Sequence, residues 1–146
     1  MARAVLVYRR GSKAFLVPLA RVPSGGHIET EPVHVIDLPS SPHDVGNAVL
    51  LALESSDRSL PEPSVEQLES PAQRAAGVKS WRQFIKGTAS CDVEKQDSAY
   101  VITPLRPERG ESFGYEPDKA TTVPLEASPA LLGEKLLYVL EQCEEH

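Results

Sequence analysis

Two stretches of this chain, 87 residues apart, restrict its fold more than any other feature. Residues 36–54 read IDLPSSPHDVGNAVLLALE and residues 123–141 read VPLEASPALLGEKLLYVLE. Seven of nineteen positions are identical (Leu38/Leu125, Ser41/Ser128, Pro42/Pro129, Gly46/Gly133, Leu50/Leu137, Leu53/Leu140, Glu54/Glu141), and five of the other twelve exchange one apolar residue for another, so the two read as copies. Each copy is a short β-rich run, a helix start and an amphipathic helix. Ser41 and Ser128 stand at N-cap positions, and the proline after each sits at N1, where a missing N–H costs nothing. Asp44 adds a carboxylate in a first turn, where the helix dipole favours it. Gly46 and Gly133 fall inside the helices, where glycine costs roughly 1 kcal/mol against alanine. The same cost at the same place in both copies implies a second backbone passing close by.

The rest of the chain fits two halves around these helices. Residues 4–8 and 14–17 are apolar runs on either side of Gly11-Ser12 and read as a hairpin. Residues 18–28 read as a loop, and residues 33–38 as a third strand leading to Ser41. Residues 56–70, with prolines and the acids Asp57, Glu62, Glu66 and Glu69, describe an exposed connector. Ser70-Pro71 starts a short helix closed by Gly77. In the second half, residues 80–85 read as a short strand or turn, and the alternation of Ala89, Cys91 and Val93 signals a half-buried strand. Residues 95–97 turn the chain back into residues 100–103, and at an offset of 85 Ala14 falls on Ala99. Residues 104–118 read as a long loop, followed by a strand over 120–125 and the last helix. The expectation is one α+β domain over residues 1–146. It contains internally duplicated β-β-β-α units, approximately 1–55 and 78–146, with helices packed on antiparallel sheet and an acidic connector over 56–77.

Charge is uneven along the chain. Residues 1–26 hold Arg3, Arg9, Arg10, Lys13 and Arg21 and no acid, whereas all twenty-one acidic residues come later. This describes either a solvated acidic surface or a docking face for a basic partner; both argue against direct nucleic-acid binding. No run is apolar for long enough to span a membrane, and no leader peptide is recognisable, which points to a cytoplasmic protein. Cys91 and Cys143 form no CxxC pair and are expected to be reduced, with Cys91 a core thiol.

Catalytic chemistry finds little support. The histidines His27, His34, His43 and His146 lack metal-ligand spacing, phosphate-binding glycine loops are missing, and Ser24-Gly25-Gly26 lacks the strand–elbow–helix context of a nucleophile. No catalytic, cofactor-binding or metal site is expected. Trp81 with Phe84 reads as a satellite core or, alternatively, as an anchor for a partner.

The segment WRQFIKGTASCDVEKQDSAYVITP from Trp81, followed by LEASPALLGEKLLYVLE and preceded by VIDLPSSPHDVGNAVLLALE, resembles immunity proteins of bacterial contact-dependent growth inhibition (CDI) systems. The resemblance covers most of the chain, and its motifs are structural. It implies a small cytoplasmic protein that binds and neutralises the C-terminal toxin domain of a cognate effector, one-to-one. Such toxins are often nucleases with basic clefts, which suits the acidic balance. It implies no catalytic residues. The alternative is a non-catalytic small-molecule-binding or assembly module on the same scaffold. For the partner face, the acid-rich stretch 104–118 is favoured, with Glu108, Glu111, Glu116 and Asp118 around the aromatic anchors Phe113 and Tyr115.

Overall fold

A computed structural model describes residues 3–64 and 69–146; Glu66 of the connector lies outside the described residues. In chain order the strands are β1 (Arg3–Arg10), β2 (Lys13–Arg21), β3 (His27–Glu29) and β4 (His34–Asp37), followed by helix α1 (Pro42–Ser55). Two short helices, α2 (Pro71–Ala76) and α3 (Trp81–Ile85), lead to the second set of strands. These are β5 (Thr88–Lys95), β6 (Ala99–Glu108), β7 (Ser112–Tyr115) and β8 (Thr121–Pro124), and α4 (Pro129–Gln142) ends the fold.

All eight strands form one antiparallel sheet. Its main path runs β3-β2-β1-β5-β6-β7, with β4 also on β2 and β8 also on β6. The join between the halves is the β1–β5 pairing, in which Val7 faces Cys91 and Val5 faces Val93. Both halves then pair alike. Each has a two-strand hairpin whose second strand carries two further short strands along its outer edge, one after the other. On β2, β4 covers Lys13 to Leu16 and β3 covers Leu19 to Arg21. On β6, β8 covers Ala99 to Ile102 and β7 covers Leu105 to Glu108.

The expected three strands before each helix are therefore four. Both missing strands lay in stretches read as loops, β3 at the end of 18–28 and β7 inside 104–118. Proline was the misleading signal. Pro18 and Pro104 sit within β2 and β6, at the point where the outer edge passes from one short partner strand to the other. Their carbonyls accept from Thr30 N (2.9 Å) and Glu116 N (3.0 Å), so they face outward. A strand residue directs its N–H and C=O to the same side, so each absent N–H falls in the gap between short strands and breaks no ladder bond.

The register also corrects the alignment of the halves. Ala14 pairs with Ile36, and its counterpart Tyr100 pairs with Val123, so these strands match at an offset of 86 (100 minus 14), not 85. A slip of one residue would have turned the strand over, placing Ala99 rather than Tyr100 against the helices. The remaining sequence error is at residues 80–85. These form a helical turn capped by Ser80, whose Oγ accepts from Gln83 N at 3.2 Å.

α1 and α4 cover one face of the sheet. Val5, Val7, Leu16, Cys91, Val93 and Ile102 point at them and meet Val49, Leu53, Leu132 and Leu136 in the main core. The helices start as the sequence requires: Ser41 Oγ accepts from Asp44 N and Ser128 Oγ from Leu131 N, each at 3.1 Å. Where they cross, backbone meets backbone. A Cβ added to Gly46 would fall on the carbonyl oxygen of Pro129, and one added to Gly133 on that of Pro42. The glycines and the N1 prolines thus engage reciprocally.

The second face carries a smaller aromatic core. Phe84 and Phe15 are buried there with Tyr8, and Trp81 stacks on Phe84 at a 5.3 Å centroid distance. This is the satellite core expected for Phe84, beneath α2 and α3.

Replacing Gly133 with leucine should destabilise the protein by a few kcal/mol, since the obstruction is main chain and cannot rotate away. A denaturant titration yielding a higher midpoint for Gly133→Leu than for the parent would contradict this packing.

Candidate functional site

The stretch favoured for a partner is a hairpin. Residues 104–108 complete β6, Gly110 (φ 77°) turns the chain, β7 returns it, and a 3₁₀ turn at Pro117–Lys119 follows. Its six candidate residues do not form one continuous patch. Glu108 is exposed, but its carboxylate lies across Gly114, where any Cβ would strike it. Glu111 holds Arg82 Nε at 2.9 Å, and its backbone carbonyl accepts from Trp81 Nε1 at 2.7 Å, tying the hairpin turn to α3. Phe113 is half-buried, packed beside the aromatic core and edge-on to His146 at 4.8 Å. Glu116 pairs with Lys119 at 3.0 Å, and Asp118 is exposed on the 3₁₀ turn. Tyr115 stands apart from the others, with 57% of its surface exposed.

The basic N-terminal segment is largely matched by acids from later in the chain. Arg3 and Arg21 both reach Asp57, Lys13 reaches Asp37, and Arg9 reaches Glu145. Arg10 instead donates to the Phe84 carbonyl at 3.2 Å. In the connector, Glu62 accepts from Ser24 N at 2.6 Å, and Leu60 N bonds Arg21 O at 2.8 Å, so the chain is strapped to the end of β2.

Tyr115 points to a region that the sequence did not single out. On the second face of the sheet, α2 and α3 pack over β1 and β2, while on the part formed by β5, β6 and β7 Ser90, Asp92 and Leu105 are buried and, among the described residues, those beside them are partly open. Residues directly opposite in an antiparallel pair share a face. Asp92 lies opposite Leu6 on β1 and Thr103 on β6, and Tyr115 lies opposite Leu105 on the same side. Leu6, Glu94, Val101 and Thr103 are all partly open to solvent. A cleft of about 810 Å³ opens beside this region, over β1, β2 and β3 and against α2, lined by Leu6, Leu19, Ile28, Glu29, Trp81 and Tyr115 among others; Asp92 does not line it. Glu29 is already engaged, accepting from Tyr8 Oη at 2.6 Å and Ser70 Oγ at 2.7 Å.

Asp92 differs from the other acids. It is only 6% exposed, and among the described residues its carboxylate accepts no hydrogen bond. Burial, with a lesser contribution from Glu94, raises its pKa to about 7. Burial also raises the Tyr115 hydroxyl, helped by the charges of Asp92 and then Glu94, so the three groups sense one another. Ser90, next along the same face, has a buried Oγ that likewise lacks a partner among the described residues. In sequence, Asp92 is one polar residue between Cys91 and Val93 in an alternating strand. Nothing there separates a buried carboxyl from a solvated one.

The raised pKa fixes the sign of a stability effect. Because the folded protein holds the Asp92 proton more tightly than the unfolded chain, this residue costs stability increasingly as pH rises from about 4 to about 7. Asp92→Asn should therefore match the parent only near pH 4 and below and exceed it at pH 8 by a few kcal/mol, read as a higher Tm. An equal shift at both pH values would show that Asp92 does not titrate in this range.

Comparison with known proteins assigns the chain to a family. A search of curated protein sequences gives no match. Among solved structures, a protein of unknown function from Neisseria meningitidis superposes with a TM-score of 0.78 at 19% identity, covering 99% of this chain and 96% of that one. A chain of the CdiA-CT/CdiI toxin and immunity complex from Yersinia pseudotuberculosis gives a TM-score of 0.75 at 19% identity, covering 99% and 98%. At this identity they show a shared fold. The family model described as CDI immunity protein matches residues 30–143, which is most of the chain, and the protein belongs to that family.

Proposed function

We propose that this protein is a cytoplasmic immunity protein. It binds, one-to-one, the C-terminal toxin domain of a cognate contact-dependent inhibition effector and neutralises it without catalysing a reaction. The family match over residues 30–143 carries this reading. The Yersinia structure, described as a toxin and immunity complex, supports the kind of partner. We further propose that the toxin is a nuclease with a basic cleft. The net charge of −6 and the carboxylates on the face of β5, β6 and β7 favour such a partner and disfavour nucleic acid itself.

Within this reading Tyr115 is the aromatic anchor, because it is the exposed aromatic beside the cleft. Phe113 supports the hairpin from beneath. The charges of Glu108, Glu111, Glu116 and Asp118 form a rim that steers association. We also take the chain to be one domain, since a single sheet runs through both halves. The matched registers, the equivalent prolines Pro18 and Pro104 and the reciprocal glycines favour an origin by duplication. A chain whose first-half helix is replaced by the second-half helix sequence should then still fold.

Co-expression with the toxin domain encoded beside this gene tests the function. Survival of the host and a 1:1 complex by light scattering are expected. Growth arrest despite soluble protein, or a self-associated species that ignores the toxin, would favour the assembly-module alternative. In surface-binding kinetics, Tyr115→Ala should mainly speed dissociation, by about 30-fold if it is a hot spot. Glu116→Lys should mainly slow association and weaken its salt dependence. Unchanged rates for both would remove the hairpin from the interface.

A further inference from the structure

Burying a carboxylate without a hydrogen bond or counter-charge is unfavourable, and proteins rarely retain such a group without a compensating partner. Asp92 comes close to this: the residue is 6% exposed, only its carboxylate tip reaches solvent, and no hydrogen bond or counter-charge meets it among the described residues. Every element around it withholds compensation. β1 presents Leu6 and β6 presents Thr103, while β5 adds Glu94 and β7 adds the Tyr115 ring. The titratable neighbours are thus another acid and a phenol, and no cation pairs with Asp92 among the described residues. By contrast, Asp57 serves two arginines, and Glu29 accepts from two hydroxyls. The unmatched carboxyl lies between buried Ser90 and the partly open Glu94 and Thr103, on the face that carries the exposed Tyr115.

We infer that Asp92, flanked by Glu94 and Tyr115, is the acceptor for one basic side chain of the bound toxin domain. This rests on the proposed immunity function and adds the chemistry of the contact. An arginine suits the position best. Its planar guanidinium can lie against the Tyr115 ring while donating to the carboxylate, and it gives up hydration more readily than an ammonium. The contact exchanges a proton. In the free protein the Asp92 carboxyl is partly protonated near neutrality, and a cation beside it lowers its pKa. Docking therefore releases the proton to solvent, and affinity rises with pH until the free carboxyl is fully ionised.

The test uses the intact protein and the toxin domain encoded beside its gene. With the parent protein, affinity should increase about tenfold from pH 6 to pH 8. Calorimetry at pH 6 in two buffers of different ionisation enthalpy should report close to one proton released, falling towards none at pH 8. Asp92→Asn should bind about 30-fold or more weakly at pH 8, with the Asp92-linked rise removed. Tyr115→Phe, which keeps the ring, should retain both the affinity and the proton release. Should Asp92→Asn fail to fold, the proton count on the parent protein decides. No proton release at pH 6, or an unchanged Asp92→Asn affinity at both pH values, overturns the inference while leaving the immunity function standing. Failure of the parent protein to bind the toxin domain overturns both.

Discussion

The contact on which the architecture depends is that between α1 and α4 at Gly46 and Gly133. Each glycine receives the carbonyl of the other helix's N1 proline, with no side chain between the two backbones. That proximity brings Val49, Leu53, Leu132 and Leu136 together over the middle of the sheet, on the same face as the central β1–β5 pair. Larger residues at either glycine would push the helices apart and lift both from the strands. The helix penalty of two interior glycines, roughly 1 kcal/mol each, is small against the burial that this arrangement permits.

This contact was legible in the sequence because it depends on residues with one dominant physical meaning at those positions. A serine cap, a proline at N1 and an interior glycine repeated at the same spacing leave few alternatives. The edge strands were not legible for the opposite reason. β3 is His27–Glu29 and β7 is Ser112–Tyr115, too short to display an alternation, and each is reached past a proline. Pro18 and Pro104 argue locally against a strand. They are tolerated because the outer edge of β2 and β6 is discontinuous at those points, a property of the assembled sheet.

The candidate site was legible only in part. Aromatic residues among acids drew attention to the 104–118 hairpin, and Tyr115 does stand exposed on it. The same reasoning could not tell Phe113, turned toward the Tyr8 ring, from Tyr115, two residues on along the same face. Nor could it separate paired from unpaired charge. Glu111 and Glu116 hold partners on α3 and the 3₁₀ turn, whereas Asp92 holds none among the described residues. Charge balance depends on distant residues such as Arg3 with Asp57, so the excess of acid in the sequence says little about where negative charge is left free.

Where it is left free follows from an asymmetry in otherwise matched halves. Both long helices lie on one face of the sheet, so the other face needs a different cover. The segment between the halves, carrying α2 and α3, occurs once, and it folds over the β1–β2 side, where Phe84 and Ala72 close the aromatic core. The corresponding surface of β5, β6 and β7 follows the same pairing pattern but, among the described residues, no second helical segment of this kind lies on it. There the strand presents Ser90, Asp92 and Glu94 in place of large apolar residues, the first two buried and Glu94 partly open to solvent. A matched pair of halves with a single covering segment thus gives the two half-faces different surroundings, and the one beneath β5, β6 and β7 holds a largely buried carboxyl with no counter-ion among the described residues.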